Sequence, residues 1–185
     1  MKNTLSALFA LDALSNQLAI NELLKKNETT AQYGLTLTPQ DTAELLETRA
    51  CALNETGRIE IGSATIGKIV DAFGSSTFLN QDNYAATLCE LTELFYAVKN
   101  ETEDRISDDD LIAFLKDCFE NRCGGSLELL AGRELEKLAD NLRFGIADFF
   151  NMDAEILFEG DLAAQAEEKA EEEQERNRWE ELELE

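Results

Sequence analysis

Residues 81–99, QDNYAATLCELTELFYAVK, carry the clearest structural signal in the chain. Their large apolar side chains recur every three or four positions, at Tyr84, Leu88, Leu91, Phe95 and Val98. This spacing places the five side chains on one face of an α-helix, because 3.6 residues make one turn. We therefore predict a long amphipathic helix here, with this face in the core.

Helical signals continue on both sides of this stretch. Thr38, Pro39 and Asp41 form a start signal, since a threonine cap, a proline at the first position and an acid three residues after the cap each favour a helix start. We predict that this helix runs to about Leu53, and that Ser107 caps another. Further helices are predicted at 126–130 and 134–142. The remaining apolar clusters with helical spacing are Leu18, Ile20, Leu23 and Leu24 in a first helix, and Ile66, Ile69, Val70 and Phe73 in a short one.

Only one short stretch favours a strand. Residues 58–61 (RIEI) alternate polar and apolar side chains after Gly57, which is typical of β-structure. Because the rest of the pattern is helical and the loops are mostly short, we predict a single, mostly α-helical domain over residues 1–160. It should contain helix-loop-helix pairs and at most a short strand pair. An acidic, helical and solvated tail is predicted over residues 161–185.

The charge of the chain excludes several functions. The sequence contains 39 Asp and Glu residues, 16 Lys and Arg residues and no His, for a net charge of −23. This charge repels nucleic-acid phosphates and anionic membranes, so we predict no direct contact with either. The absence of His removes the commonest general base, and no residue cluster has the spacing of a catalytic motif. We therefore predict no catalytic residue, no cofactor and no enzymatic activity.

The sequence predicts a cytoplasmic protein. No stretch approaches the roughly 20 apolar residues that span a bilayer. The apolar run near the start is interrupted by Asp12 and is preceded by one basic residue, Lys2. No small-residue cleavage site follows it, so the run does not fit a signal peptide.

The stretch from Lys99 to Asp110 has some features of an EF-hand calcium loop. When Ile106 takes the eighth loop position, the residues at ligand positions are Glu101, Glu103 and Asp110. Three departures speak against an ion. Lys99 stands where an anionic ligand is needed, Asp104 stands where the sharp turn needs Gly, and Asp110 is shorter than the Glu that closes such loops. We predict a capped helix-loop-helix without a metal, and a degenerate calcium site remains an alternative.

The cysteines do not indicate a metal or redox site. Only Cys118 and Cys123 lie close together in the sequence, and no His is present to complete a zinc site with them. Cys118 shares a helical register with Leu111, Leu115 and Phe119. We therefore predict that Cys118 is a buried thiol in the core, where free cysteine behaves as a small apolar residue.

The tail is strongly acidic but ends in apolar residues. Residues 161–185 hold eleven acids and three bases, a net charge of −8, which leaves −15 for the preceding 160 residues. Helical geometry places Trp179 and Leu182 on one face, with Leu184 well off it. One interpretation is a docking helix for a basic, grooved partner or for a second copy, anchored by Trp179 and Leu182. The other is a solvated tail that touches nothing.

Several short stretches resemble a known family. They include YGLTLT at 33–38, GRIE at 57–60, NYAATL at 83–88 and GSLE at 125–128. Over about residues 20–145 the chain resembles a bacterial family of uncharacterised proteins, known as a domain of unknown function. The resemblance implies a bacterial, cytoplasmic origin, and it implies no activity, ligand or partner.

These observations favour a non-enzymatic, acidic protein-interaction or regulatory module. Its expected partner is another protein, one with a basic surface. An alternative from another class is a nucleic-acid mimic, whose acidic surface would occupy the basic groove of a DNA- or RNA-binding protein. Salt separates the two, because the affinity of a mimic should collapse as salt rises, whereas apolar docking should be nearly insensitive to it.

Overall fold

The computed structural model describes the backbone of residues 2–60 and 62–143, and the side chains of residues 14–60 and 62–140. The predicted tail at residues 161–185, with Trp179 and Leu182, lies outside the described residues.

The chain folds as a succession of α-helices joined by short loops. In chain order these are α1 (Lys2–Lys25), α2 (Asn27–Thr30), α3 (Pro39–Glu55), α4 (Ala64–Phe73), α5 (Tyr84–Glu101), α6 (Asp108–Asp117), α7 (Leu127–Leu129) and α8 (Glu136–Arg143). No strand occurs within residues 2–60 and 62–143, and the predicted, mostly α-helical fold class is confirmed. None of the described helices is both long and apolar enough to cross a lipid bilayer.

Helix α5 lies at the centre of the core. The five side chains that define its apolar face, Tyr84, Leu88, Leu91, Phe95 and Val98, are each at most 3% exposed. Helix α5 packs most extensively against α3 and also contacts α4 and α6. The predicted apolar face of α4 is buried as well, and its Phe73 ring packs edge-on against Phe119 with the ring centres 5.6 Å apart. The core faces of α4 and α5 are therefore the ones that the helical spacing predicts.

The predicted caps set where two helices start. The Thr38 hydroxyl accepts a hydrogen bond from the Asp41 amide at 3.1 Å, and the Asp41 carboxylate accepts one from the Thr38 amide at 2.7 Å. At α6, the Ser107 hydroxyl accepts from the Asp110 amide at 3.1 Å. Each cap satisfies backbone donors that the helix leaves free, and a cap of this kind contributes about 1 kcal/mol.

The first predicted helix is present, but the prediction of its core face is wrong. Helix α1 begins at Lys2, and Leu18 is 56% exposed rather than in the core. Of the four predicted core residues only Leu23 is buried, at 1% exposure. Leu18 and Leu23 lie about 140° apart around the helix axis, since each residue turns the helix by about 100°. Leu18 therefore cannot reach the face that packs on α3 and α4.

The predicted strand is absent from residues 58–60, and Ile61 lies outside the described residues. Residues 58–60 form a loop between α3 and α4 and make no β-pairing with another described segment. An alternating pattern forms a strand only when a partner strand accepts its backbone hydrogen bonds, and the segments around this loop are helical. The polar residues of this pattern, Arg58 and Glu60, instead make the side-chain contacts described below.

Two helices continue as π-helical segments. Helix α6 passes into Cys118–Arg122, and α7 passes into Leu130–Leu135, which leads directly into α8. Residues 127–143 thus form one continuous helix, whereas the sequence predicts two. Within the second π segment, Glu134 is 3% exposed, and its carboxylate pairs with Arg122 at 3.5 Å and with Arg133 at 3.1 Å. Cations thus compensate the charge of this buried acid.

Candidate functional site

An open groove with a volume of about 550 Å³ is lined by α3, α5 and the start of the 127–143 helix. Four glutamates line it: Glu55 from α3, Glu90 and Glu93 from α5, and Glu128 from α7. Among the described residues that line this groove, none is a Lys or an Arg. We call it the acidic groove.

The four glutamates are not neutralised by the fold. Elsewhere, acids commonly pair with cations, as Asp71 does with Lys26 at 2.5 Å and Glu60 with Arg49 at 3.0 Å. Within the described residues, none of the four groove glutamates forms an ion pair or a side-chain hydrogen bond. Four uncompensated carboxylates around one concavity create a local negative potential, which attracts a cationic ligand and repels an anionic one.

Between these acids the groove is lined by small and apolar side chains. Ala52 is buried, Leu94 is half-buried and Ala97 is exposed. Such a surface gains free energy when apolar groups cover it, at about 25 cal/mol for each Å² removed from water. The groove therefore combines an apolar floor with an acidic rim. That combination suits a ligand that carries both cationic and apolar groups.

A hydrogen-bonded cluster supports the groove from behind. Tyr96 lines the groove, and its hydroxyl donates to the Glu60 carboxylate at 2.5 Å. The same carboxylate oxygen accepts from the Arg49 guanidinium at 3.2 and 3.0 Å, and the other oxygen accepts from the Thr65 hydroxyl at 3.1 Å. Burial and the neighbouring Glu60 carboxylate raise the pKa of Tyr96 well above its usual value. The phenol therefore remains a donor at neutral pH and ties the loop before α4 to α5.

A second open groove, of about 490 Å³, lies beside α2 and α4 and differs in charge. Lys25 and Lys26 line it together with Glu28 and Asp71, so its charges balance. The Lys26 ammonium already pairs with the Asp71 carboxylate. Of these two grooves, the acidic groove is therefore the one in which the charges of the described lining residues do not balance.

The three acids that the alternative calcium site would need do not form a metal-binding group. Glu101 is exposed, Glu103 pairs with Arg105 at 3.3 Å, and Asp110 accepts a hydrogen bond from the Ser107 hydroxyl at 2.6 Å. Among the described residues, no group of three or more Asp, Glu, Cys or His side chains could hold a metal ion. Glu101 is therefore solvent-exposed, Glu103 forms a surface ion pair and Asp110 takes part in a helix cap.

Lys99 takes the central place in this loop. Its ammonium donates to the Ile106 carbonyl at 2.8 Å and pairs with the carboxylates of Asp108 at 2.8 Å and Asp104 at 3.1 Å. The side chain is only 10% exposed. Burial by itself would lower the pKa of Lys99, but the two carboxylates outweigh burial and the pKa is raised. The loop therefore folds around a lysine ammonium that three oxygens surround.

Asp104 makes the turn for which an EF-hand uses glycine. Its φ is +60° and that of Glu103 is +51°, so two consecutive residues adopt the left-handed conformation. Aspartate tolerates this conformation better than most residues. Asp104 is held there by Lys99 and by an ion pair with Arg58. With Asp104 in place of glycine, the chain still makes the sharp turn, but the turn contributes a carboxylate that pairs with Lys99 and Arg58.

We expect that millimolar calcium does not raise the melting temperature of the protein. The Lys99 ammonium already lies within this loop beside Asp104 and Asp108, and it would repel a second cation there. Circular dichroism melting curves with and without calcium measure the effect, since a bound ligand raises the melting temperature. The Asp110→Ala variant is the control. A rise in the wild type that this variant abolishes would establish the loop as a calcium site.

The cysteines have different surroundings. Cys118 is fully buried among the side chains predicted for it, and burial raises the pKa of its thiol to about 12. It is therefore a protonated core residue at neutral pH, as the helical register predicts. Cys51 is exposed and lines the acidic groove, and Cys89 is half-buried on α5.

Sequence reasoning missed the groove, although α5 contains a signal for it. Opposite its core face, Glu90 and Glu93 are followed by Leu94 and Ala97. Apolar residues between acids on a solvent face are unusual for an amphipathic helix and indicate a surface that meets something. The other wall cannot be found from α5, because Glu128 lies 35 residues after Glu93 in the sequence.

Comparison with known proteins matches the chain to one family and to no individual curated protein or solved structure. None of the curated proteins matches the sequence, and none of the solved structures does. The sequence profile of a family of unknown function, DUF6323, matches residues 22–148. This range contains α2 to α8 and every residue of the acidic groove. Because the match covers more than half of the chain, the chain belongs to the DUF6323 family.

Proposed function

We propose that the protein is a non-enzymatic, bacterial, cytoplasmic interaction module that holds a basic, amphipathic segment of a partner protein in the acidic groove. The observation that carries this proposal is the set of four glutamates around an apolar floor, none of which forms an ion pair within the described part of the chain. Lysine or arginine side chains of the partner would pair with the glutamates, and its apolar side chains would cover Leu94 and Ala97. Complementary charge of this kind speeds encounter and sets orientation.

The shape of the groove favours a short helical segment. A groove of about 550 Å³ accepts a few side chains rather than a folded domain. An amphipathic helix presents such side chains at intervals of three or four residues, and recognition of a helix in a groove is a recurring mode of protein interaction. Glu90 and Glu93 are spaced in the same way along α5, so two cations one turn apart on the partner can meet them.

A synthetic helical peptide of lysine and leucine, about four turns long, tests the proposal. We expect the double variant Glu90→Gln/Glu93→Gln to weaken binding of this peptide about tenfold, because two charge pairs of 0.5–1 kcal/mol each are lost. Fluorescence anisotropy of the labelled peptide measures the affinity.

The matched control removes the same charge elsewhere. Asp82→Asn/Glu28→Gln also neutralises two exposed acids, and neither residue lines the acidic groove. We expect this variant to change the affinity less than twofold, since it alters only the screened, long-range field. An equal loss in both double variants would overturn the groove proposal.

The nucleic-acid mimic would instead be supported if both double variants lost affinity equally and the affinity of the wild type fell steeply between about 0.05 M and 0.3 M salt. In a mimic the whole acidic surface binds, so no pair of acids is special. Binding to the groove should keep a salt-insensitive part, because the apolar floor contributes to it.

A further inference from the structure

The loop at residues 58–60 is held firmly where it leaves α3. The Arg58 amide donates to the Leu53 carbonyl at 2.8 Å and the Gly57 amide donates to the Asn54 carbonyl at 3.2 Å. Gly57 has a φ of +67°, which completes a Schellman motif, the common end of a helix at a left-handed glycine. The direction of the chain into the loop is therefore set by backbone hydrogen bonds.

Both neighbours of Ile59 are fixed by side-chain contacts. On one side the Arg58 guanidinium pairs with the Asp104 carboxylate. On the other, the Glu60 carboxylate accepts hydrogen bonds from Arg49, Tyr96 and Thr65. Charge-assisted hydrogen bonds of this kind are roughly twice as strong as neutral ones. Ile59 is thus presented from a loop that is anchored on each side.

Ile59 itself is almost completely exposed. Its exposed fraction is 94%, whereas the other large apolar side chains that the described part exposes range from 40% to 57%. A single exposed apolar residue on a loose loop needs no explanation. A β-branched side chain on an anchored loop is suited to binding, because little conformational entropy is lost when a partner covers it.

Ile59 is close in the chain to residues that line or support the acidic groove. Thr56 lines the groove and precedes Ile59 by three residues, which span at most about 10 Å of chain. Glu60 follows Ile59 and bonds directly to Tyr96, another groove residue. A helix in the groove would need about seven further residues to cover this distance, at 1.5 Å for each residue.

We propose that Ile59 is an apolar anchor for the same partner segment that occupies the acidic groove. This inference rests on the proposed function and specifies the partner further. The partner is a basic amphipathic helix whose apolar face continues beyond the groove and packs on Ile59. The glutamates select its charge, and Ile59 selects for an apolar side chain at its far end. Interfaces commonly concentrate their affinity in a few such anchors next to charged contacts.

Two lysine–leucine peptides test the anchor, a short one of about two turns and a long one of about four turns. We expect Ile59→Ser to weaken binding of the long peptide about tenfold and to leave binding of the short peptide unchanged. Leu18→Ser is the matched control, because it removes an apolar side chain that is 56% exposed on α1, away from the groove. Ile59→Ser should keep the wild-type melting temperature, since Ile59 contributes nothing to the core.

Each outcome decides between the two proposals. If Glu90→Gln/Glu93→Gln weakens both peptides and Ile59→Ser weakens neither, the groove proposal stands and the anchor is wrong. If Ile59→Ser weakens the long peptide while the glutamate variant acts no more than its control, Ile59 binds a partner that does not occupy the groove, and the groove proposal is wrong. If neither variant differs from its control, both proposals are overturned.

Discussion

Replacing Gly125 by alanine should lower the free energy of unfolding by about 3 kcal/mol. Gly125 has a φ of +82°, where an L-residue is strained. An added Cβ would also lie 2.6 Å from both Cβ and Cγ of Phe78. These atoms stand close to the Phe78 backbone, so the overlap cannot be relieved by a side-chain rotation alone. Phe78 would have to leave its edge-on contact with Phe119, whose ring centre is 6.1 Å away.

The neighbouring glycine provides the matched control. Gly124 also has a positive φ, +55°, but an added Cβ there meets no atom within 4 Å. Gly124→Ala should therefore cost only the conformational term, about 1 kcal/mol. Urea unfolding followed by far-ultraviolet circular dichroism is the appropriate measurement, because the single Trp of the sequence, Trp179, lies in the tail. Equal losses in the two variants would show that Phe78 does not confine Gly125.

Replacing Lys99 by methionine should destabilise the protein by about 2–3 kcal/mol. Methionine keeps the length of the side chain and removes its charge. The Ile106 carbonyl and the carboxylates of Asp104 and Asp108 would then lose the donor that they share. The control is Lys68→Met, which removes an exposed ion pair with Asp109. That variant should unfold at the same urea concentration as the wild type.

The pH dependence of the Lys99 contribution follows from the direction of its pKa shift. The pKa of Lys99 is raised above its ordinary value of 10.5, so folding favours the protonated form. The contribution is therefore complete below that value and disappears as pH rises through the folded-state pKa. Wild type and Lys99→Met should converge in stability as pH rises through the raised pKa of Lys99, measured as the difference between their unfolding midpoints. A difference that persists at high pH would mean that packing of the chain stem, rather than charge, is what Lys99 contributes.

The sequence was sufficient to predict the part of the core that α4 and α5 contribute. In α4 and α5 the apolar side chains follow the helical period, and every residue predicted for those two faces is buried. The starts of α3 and α6 were predictable too, because the capping interactions of Thr38 and Ser107 are local and involve residues only three positions apart. These features depend on neighbouring residues and on the helical period, so they can be predicted without knowing how the helices pack together.

The features that could not be predicted depend on residues far apart in the sequence. The acidic groove joins α3, α5 and α7, so its charge becomes visible only when these helices pack together. The contact between Arg58 and Asp104 likewise joins two loops 46 residues apart. Lys99 was recognised as a departure from a calcium loop, but its role as the cation that the loop surrounds needed the position of the Ile106 carbonyl. Spacing alone reports which face a residue occupies and says nothing of what covers that face.

The π segment at residues 130–135 absorbs one residue of chain length without disturbing the buried face. A π turn holds one residue more than an α turn, so the buried residues Leu130 and Leu135 are five positions apart, and Leu138 and Ala139 then continue the same face. Loss of the exposed Gly132 would bring Leu130 and Leu135 to four positions apart, which is the spacing of one face in an ordinary α-helix. Leu138 and Ala139 would therefore stay in the core. In this family, a chain that is one residue shorter at this point can keep the same core, whereas a deletion within a regular α-helix would turn everything after it by about 100°.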